Sequence, residues 1–380
     1  MQLFKSGSGF GNTARKMSRT FARWFPTPEM IYPRAAGVDI SDASIKWLIL
    51  APLKSRYRIA SYGEMPLDTG VVVNGIVQDV GALAAALAEA KRYFGGVDCA
   101  HAALPEEAAY VFEMHIPEGA DHDQAINMIE FGFEGRVPIA AGAAVFDFDV
   151  IQRHDDGAGE DIGVAVFARE LAESYVAAFE AAGIRLLSLE IEARSIARAV
   201  SSDAADEPVT LLVDFGRART GFAVLKRGIP IFTSTVEVGG DMVTRAVAEG
   251  LSLSPEETQI FKNEQGLLAD AGPKSPGIEA IIGTASALAD EVARHYHYWD
   301  TRRNEKGERM TPVGQVLIVG GSANLKGLPD YIAGRVQAPT YVANIWQHVC
   351  DFDEYIPPLD SRASLQYATA VGLAMRSLHI

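Results

Sequence analysis

Two stretches of the chain share one design: Gly-Val-Asp-Ile-Ser at residues 37–41 and Leu-Val-Asp-Phe-Gly at residues 212–216. In each, a β-type apolar run carries an aspartate near its end and leads through a turn of small residues into a second strand. Backbone N–H groups of such a turn can bind phosphate, and a nearby carboxylate can hold Mg²⁺ through water. One such hairpin is also an ordinary β-turn, but two in separate halves can close on one polyphosphate. The repeat therefore predicts two α/β halves with an anion site between them.

The order of these patterns also predicts the division of the chain. Residues 201–208 are polar, and the β pattern restarts after them, so we place the boundary between the halves there. We expect a basic N-terminal arm at residues 1–33, a first half at residues 34–200 and a second half at residues 208–380.

Composition excludes several classes of protein. The formal net charge is −15, which argues against nucleic acid as a partner, because a phosphate footprint needs a basic surface. The sequence has no apolar run approaching the roughly 18 residues of a membrane span and no apolar stretch typical of a signal peptide. Cys99 and Cys350 stand far apart without partners at metal-ligand spacing, and we interpret them as reduced thiols. These features predict a cytoplasmic protein.

A third pattern lies near the C-terminus. The apolar run at residues 316–319 enters a turn formed by Gly320, Gly321 and Ser322. A turn with so little side chain lets a base and ribose lie against bare backbone, although it can also be a plain strand-to-helix connection.

Together these three patterns resemble the phosphate and adenosine motifs of the actin and sugar kinase superfamily. The first motif matches Asp39-x-Ser41-x-x-Ser44-x-Lys46, and the second matches Asp214-x-Gly216-x-x-x-Thr220. The segment at residues 320–323 is similar to the adenosine motif. The resemblance implies an actin-like (ribonuclease H-like) two-domain ATPase fold, with ATP and Mg²⁺ as ligands.

Within that superfamily, nearly everything after Pro33 resembles the family of type IV pilus assembly protein PilM, which is related to the division protein FtsA. The segment at residues 237–246 is similar to the start of the smaller subdomain of the second half, which implies such a subdomain at residues 237–310. The stretches at residues 129–138 and 145–150 resemble the subdomain that PilM and FtsA insert into the first half, here residues 108–168.

The resemblance also implies roles for individual residues. Asp39 and Asp214 would orient Mg²⁺, and Lys262 would reach the ribose or base. Glu192 is the candidate for positioning an attacking water, with a helix-capping glutamate as the alternative. The full set of expected cofactor-binding residues is Asp39, Ser41, Asp42, Ser44, Lys46, Asp214, Gly216, Arg217, Thr220, Gly239, Gly240, Asp241, Lys262, Gly320, Gly321, Ser322 and Asn324.

The chain departs from the family pattern at the first phosphate turn and ahead of Lys262. Ser41 stands where the family usually has glycine, and Asp42 places a carboxylate where it would repel a γ-phosphate unless Mg²⁺ lies between them. The family's Ala-Glu pair is replaced by Thr258 and Gln259. These differences predict nucleotide binding with at most slow ATP hydrolysis.

A scaffold function follows from the same resemblance. Membership of the family implies a protein at the inner membrane that recruits the N-terminal cytoplasmic tail of a PilN-like single-pass membrane protein during pilus assembly. In the family that tail lies in a groove between the first subdomain and the insert, and self-association is also compatible with this fold. The alternatives are a small-molecule kinase of the same superfamily and an FtsA-like division protein.

The N-terminal arm has a pattern of its own. Apolar residues recur every three or four positions between residues 10 and 25, with basic residues between them. This is typical of a basic amphipathic helix that contacts an anionic membrane surface or an acidic partner, and the alternative is a disordered tail.

Overall fold

The computed structural model describes residues 33–54, 56–154, 157–202, 207–268, 276–303, 307 and 309–378. The amphipathic pattern predicted between residues 10 and 25 lies outside these ranges. Residues 35–380 form one compact unit, which contains the strands and helices of the described residues.

Strands and helices alternate along this unit. The strands are β1 (Ala35–Ile40), β2 (Ser44–Leu53), β3 (Arg56–Pro66), β4 (Val72–Val73), β5 (Ile76–Val77), β6 (Cys99–Leu104), β7 (Tyr110–Ile116), β8 (Ala144–His154), β9 (Gly159–Ala168), β10 (Arg185–Ile191), β11 (Thr210–Phe215), β12 (Thr220–Lys226), β13 (Ile229–Val236), β14 (Gln315–Val319) and β15 (Thr340–Val342). The helices are α1 (Val80–Lys91), α2 (His122–Phe131), α3 (Arg169–Ala181), α4 (Glu192–Val200), α5 (Gly240–Leu251), α6 (Pro255–Glu264), α7 (Pro276–Thr301), α8 (Leu328–Val336), α9 (Ser361–Ser364) and α10 (Ala368–Met375).

The two halves contain sheets of the same design. The first half has the strand order β10-β6-β1-β2-β3, and the second half has the order β13-β12-β11-β14-β15. In each, the first strand of the half lies between an antiparallel hairpin partner and a parallel neighbour: β2 and β6 in the first, β12 and β14 in the second. The sheets therefore repeat the internal duplication visible in the sequence.

The insert is a separate layer with its own core. Its strands β7, β9 and β8 form an antiparallel sheet, against which helix α2 packs Ile129 and Phe133. Asp121 caps this helix: it accepts a hydrogen bond from the backbone N–H of Gln124, whose side chain in turn accepts one from the backbone N–H of Asp121. This reciprocal cap fixes where the helix begins.

A similar cap begins helix α6, where the sequence places Ser254 before Pro255. The Ser254 hydroxyl accepts from the N–H of Glu257, and the Glu257 carboxylate accepts from the N–H of Ser254. The backbone N–H at the first position of a helix has no hydrogen-bond partner within the helix. Proline, which has no N–H, therefore fits there without loss of a hydrogen bond.

Helix α10 packs on the first half, although residues 208–380 were expected to form the second half. A Cβ atom at Gly372 would lie 1.7 Å from the carbonyl oxygen of Ser195 on α4, so the two helices are in backbone contact. The Arg198 guanidinium also donates to the carbonyl of Gly372 at 2.9 Å. The last helix therefore completes the core of the first half, because the apolar face of β1 and α4 needs a cover that residues 34–200 do not supply.

A buried ion-pair network holds the same junction. Glu190 at the end of β10 pairs with Arg198 at 2.5 Å and also with Arg376, just after α10. Burying a carboxylate costs free energy unless the carboxylate is paired. The ion pairs of Glu190 with Arg198 and Arg376 therefore help to hold the C-terminal helix in place. Among the described residues, no helix is both long and apolar enough to cross a bilayer.

Candidate nucleotide site

The turn between β1 and β2 is closed by its own serines. The Ser41 hydroxyl donates to the carbonyl of Ser44 at 3.0 Å and accepts from the N–H of Ser44 at 3.1 Å. A glycine at position 41 would lack these bonds. The serine that replaces the expected glycine therefore stabilises the turn through its side chain.

Asp39 lies beside this turn, opposite Lys46 in the strand register. Burial raises the pKa of the Asp39 carboxyl, and the Lys46 ammonium opposes that rise. Lys46 also donates to the Ser44 hydroxyl at 3.1 Å and lies 3.4 Å from a carboxylate oxygen of Glu64. Lys46 therefore contacts both Ser44 and Glu64 and is not committed to Asp39 alone. The buried Asp39 carboxyl would be stabilised in its ionised form by an added cation.

The hairpin of the second half places Asp214 in the corresponding position. Asp214 pairs with Gly221 on β12 and Val319 on β14, and the turn closes with a hydrogen bond from the N–H of Gly216 to the carbonyl of Arg219 at 3.1 Å. Burial, together with the charge of Asp39, raises the pKa of Asp214 to about 6. Because the charge of Asp39 acts on Asp214, the fold places the two predicted aspartates near each other.

Two glutamates join these aspartates in the cleft. Burial and the charge of Asp214 raise the pKa of Glu106 to about 8, although the N–H of Ala193 donates to it. Burial also raises the pKa of Glu192 well above its usual range, and Asp39, Glu106 and Asp214 add to that rise. Four carboxylates that disfavour each other's ionised form make a site that a divalent cation would stabilise.

Glu106 was not among the residues predicted from the sequence. It follows the buried strand β6 through Pro105 and lies in a short 3₁₀ turn at residues 106–108. The sequence could have indicated this residue, because Glu106 and Glu107 come just after the apolar end of strand β6. Functional residues commonly lie at the carboxyl ends of parallel strands.

The adenosine-type turn contacts the second phosphate turn directly. Gly320 has φ +92°, and a Cβ atom there would lie 2.3 Å from Oδ1 of Asp214. The N–H of Ser322 donates to the carbonyl of Phe215 at 3.0 Å. Only glycine fits at position 320, because any side chain would displace the Asp214 carboxylate. Asn324 instead donates to the carbonyl of Arg362 at 3.1 Å, so its side chain stabilises this turn.

The N-terminus of α5 closes on the same turn. The N–H of Gly240, the first residue of α5, donates to the carbonyl of Gly216 at 3.0 Å, and the N–H of Asp241 donates to that of Arg217 at 2.9 Å. Arg217 and Asp241 also form an ion pair at 3.1 Å, and the Thr220 hydroxyl donates to the carbonyl of Val238 at 2.5 Å. The segment at residues 239–241 is thereby fixed against the turn at residues 216–220.

Lys262 on α6 is buried beside these residues. Its ammonium donates to the Thr244 hydroxyl at 2.8 Å, and its carbonyl accepts from the N–H of Lys326, just after the adenosine-type turn. Burial lowers the pKa of Lys262. Helix α6 thus contacts the chain just after the turn that was predicted to hold adenosine.

The turns at residues 41–44 and 216–220, which were predicted to bind phosphate, are joined by Arg219. Its guanidinium pairs with Asp42 in the first turn and with Glu107 next to Glu106. Asp42 also accepts hydrogen bonds from the N–H groups of Asn74 at 3.1 Å and Gly75 at 3.0 Å. The carboxylate expected to repel a γ-phosphate is therefore neutralised by a residue of the opposite half.

One family of known proteins and several solved structures are similar to this chain. The family model for type IV pilus assembly protein PilM matches residues 37–378. A solved structure of a PilM–PilN type IV pilus biogenesis complex superposes with a TM-score of 0.73 at 18% identity, covering 92% of this chain and 100% of the solved one. The ethanolamine utilization protein EutJ from Carboxydothermus hydrogenoformans superposes with a TM-score of 0.51 at 17% identity, covering 92% and 91% of the two chains.

The predicted actin-like fold is confirmed. Because the family model matches nearly the whole chain, this protein belongs to the family of type IV pilus assembly protein PilM.

Proposed function

We propose that the chain binds Mg²⁺–ATP between its halves and acts as a nucleotide-dependent scaffold for the N-terminal cytoplasmic tail of a PilN-like single-pass membrane protein. The observation that carries the nucleotide part is the convergence of Asp39, Glu106, Glu192 and Asp214 where the two phosphate-type turns meet. Such a group of carboxylates favours a divalent cation, which would in turn hold the polyphosphate.

The residues around the cluster fit the rest of a nucleotide. The turns at residues 41–44 and 216–220 would contact the phosphates through their backbone, and Gly320 leaves the approach to Asp214 free of side chain. Lys262 and Ser322 would lie towards the adenosine. The substitution of Thr258 and Gln259 for the family's Ala-Glu pair and the neutralisation of Asp42 by Arg219 support binding with at most slow hydrolysis.

A groove between the first half and the insert supports the scaffold part. It contains a cavity of about 320 Å³ whose lining includes Val164 of the insert and Leu189 of β10. Its polar lining includes Asp147, Asp149 and Arg194, of which the last two form an ion pair at 2.6 Å. An extended tail can lie in such a groove with apolar side chains inward, and the exposed carboxylate of Asp147 favours basic residues in it.

The solved PilM–PilN complex supports the same partner, since that structure contains both proteins. Docking on a single-pass membrane protein would place this chain on the cytoplasmic side of the inner membrane. The predicted self-association remains a second way in which the chain could assemble.

Calorimetry with two ligands tests both parts of the proposal. Mg²⁺–ATP should bind the wild-type chain, and Asp214→Asn should abolish that binding, while Asp98→Asn on the exposed side of the first half should not. A peptide from the N-terminus of a PilN-like protein of the same organism should bind, and Asp147→Lys should weaken its binding at least tenfold. Glu180→Lys, an exposed charge change on α3 outside the groove, is the matched control.

Each part has its own contrary result. Failure of millimolar Mg²⁺–ATP to bind would overturn the nucleotide part. Peptide affinity that is equal in the wild type and in Asp147→Lys would show that the tail lies elsewhere.

A further inference from the structure

Outside the cleft, three metal-ligating side chains meet at one end of the insert sheet. They are His115 on β7, His154 at the end of β8 and Asp161 on β9. The Nδ1 atom of His115 lies 2.9 Å from one carboxylate oxygen of Asp161, and the Nε2 atom of His154 lies 3.1 Å from the other. Each of the three strands of the insert thus contributes one side chain to this group.

The strand register explains how these residues share a face. His115 is the direct cross-strand partner of Asp161, and Gln152 is its partner on the other side. Because side chains alternate along a strand, His154 lies on the same face as Gln152 and Asp161.

A β-bulge makes this arrangement possible. The register shifts between Val150 and Gln152, so Ile151 is an extra residue in β8. Without that residue Arg153 would replace His154 on the face of Asp161, which would put an arginine into the group. Bulges commonly re-aim a side chain in this way next to functional sites.

The hydrogen bonds of His115 fix which of its nitrogens is free for a ligand. Its Nε2 atom lies 2.7 Å from the carbonyl oxygen of Ala158, which only a protonated nitrogen can approach as a hydrogen-bond donor. In the neutral ring, Nδ1 then carries a lone pair that faces the Asp161 carboxylate at 2.9 Å. Two acceptors this close require a cation between them, either a proton or a metal ion. Metal-bound histidines usually donate their other N–H to such a carbonyl.

The spacing of the ligand atoms suits a metal ion. All three lie within 4.8 Å of one another, and a tetrahedral zinc with bonds of about 2.0 to 2.1 Å holds its ligand atoms roughly 3.3 Å apart. The surrounding charges are also compatible: Lys226 lies 3.9 Å from Asp161 but is paired at 2.5 Å with Glu113.

We propose that His115, His154 and Asp161 form a site for a divalent transition metal such as Zn²⁺, which would join the three strands of the insert. Two imidazoles and one carboxylate favour Zn²⁺ or a similar ion over Mg²⁺ and leave a fourth position for water or a partner's side chain. This site is separate from the proposed nucleotide cleft and does not depend on it.

The experiment uses the full chain without an affinity tag, stripped of metal and titrated with Zn²⁺ at pH 7.5 in a calorimeter. We expect one Zn²⁺ per chain, and His115→Ala and His154→Ala should each weaken binding at least tenfold. His122→Ala, which removes an exposed histidine of the same insert, should leave the affinity unchanged. Asp161→Asn can still hydrogen-bond both imidazoles but loses the anionic ligand, so it should also weaken binding while the chain stays folded.

Co²⁺ provides a second measurement on the same variants. Its visible absorption band should have the intensity of a four-coordinate site in the wild type and in His122→Ala, and should be lost in the other three variants. Absence of stoichiometric binding at 100-fold excess of Zn²⁺, or equal affinity in all variants, would overturn the proposal.

Discussion

Arg219 of the second half forms an ion pair with Asp42 of the first half and so joins the two turns that flank the carboxylate cluster. The same guanidinium pairs with Glu107, so one cation neutralises two carboxylates of the opposite half. Moving the two halves apart would break these ion pairs and separate Asp42 and Glu107 from Arg219. The net charge beside the turns therefore depends on whether the halves are closed.

Replacement of Arg219 by alanine should weaken Mg²⁺–ATP binding by roughly tenfold, equivalent to about 1.4 kcal/mol. The physical reason is that Asp42 and Glu107 would then face the phosphates without a neutralising partner. Calorimetry at constant ionic strength measures the change, and Arg294→Ala, which breaks a surface ion pair on α7, is the control.

Asp42→Ala should have the opposite effect. It would free one side of Arg219 for the phosphates, so we expect tighter binding of ATP, most clearly without Mg²⁺. Weaker binding in this variant would instead assign Asp42 to the metal site.

The buried carboxylates predict how stability depends on pH. In the folded chain the pKa of Glu106 is raised from 4.5 to about 8 and that of Asp214 from 3.8 to about 6. Folding therefore favours their protonated forms, and this contribution to stability is complete below about pH 4 and is lost as pH rises through about 6 and then about 8. Thermal unfolding without nucleotide or divalent cation should show a melting temperature that falls between pH 5 and pH 8.

Glu106→Gln tests the origin of that slope. The amide cannot ionise, so we expect the variant to be more stable than the wild type at pH 8, by roughly 1 to 3 kcal/mol. Its stability should change less between pH 6 and pH 8, whereas Glu180→Gln on the surface should follow the wild type. A slope that is unchanged in Glu106→Gln would show that another group titrates in this range.

Gly320→Ala should destabilise the chain and abolish nucleotide binding. The added methyl group would lie 2.3 Å from the Asp214 carboxylate, in a residue whose φ is +92°. We expect a loss of about 2 kcal/mol or more in the free energy of unfolding. Gly334→Ala on α8 is the matched control, because nothing lies within 4 Å of its Cβ position and alanine stabilises a helix by about 0.5 to 1 kcal/mol. Chemical denaturation measures both variants.

Gly372→Ala should separate the last helix from the first half. Its methyl group would lie 1.7 Å from the Ser195 carbonyl, so α10 must move away from α4. We expect a loss of about 3 kcal/mol in the free energy of unfolding, because the shift also disturbs the pairing of Glu190 with Arg198 and Arg376. Gly283→Ala on α7, where nothing lies within 4 Å, should show no such loss. Equal stability of both variants would contradict the role assigned to the α10–α4 contact.

The sequence by itself determined the features that depend on neighbouring residues. The hairpins around Asp39 and Asp214, the glycine turn at residue 320 and the cap at Ser254 follow from periodicity and turn chemistry within a few positions. Because these motifs resemble those of the actin and sugar kinase superfamily in kind and order, the resemblance also predicted the actin-like fold.

Only the tertiary structure decided which distant residues meet. Glu106 joins the carboxylate cluster because β6 pairs in parallel with β1, and Arg219 reaches Asp42 because the two halves close on each other. Helix α10 belongs to the first half because β1 and α4 offer it an apolar surface, although it follows the second half in the chain. Such contacts depend on long-range pairing and burial, which no local pattern in the sequence encodes.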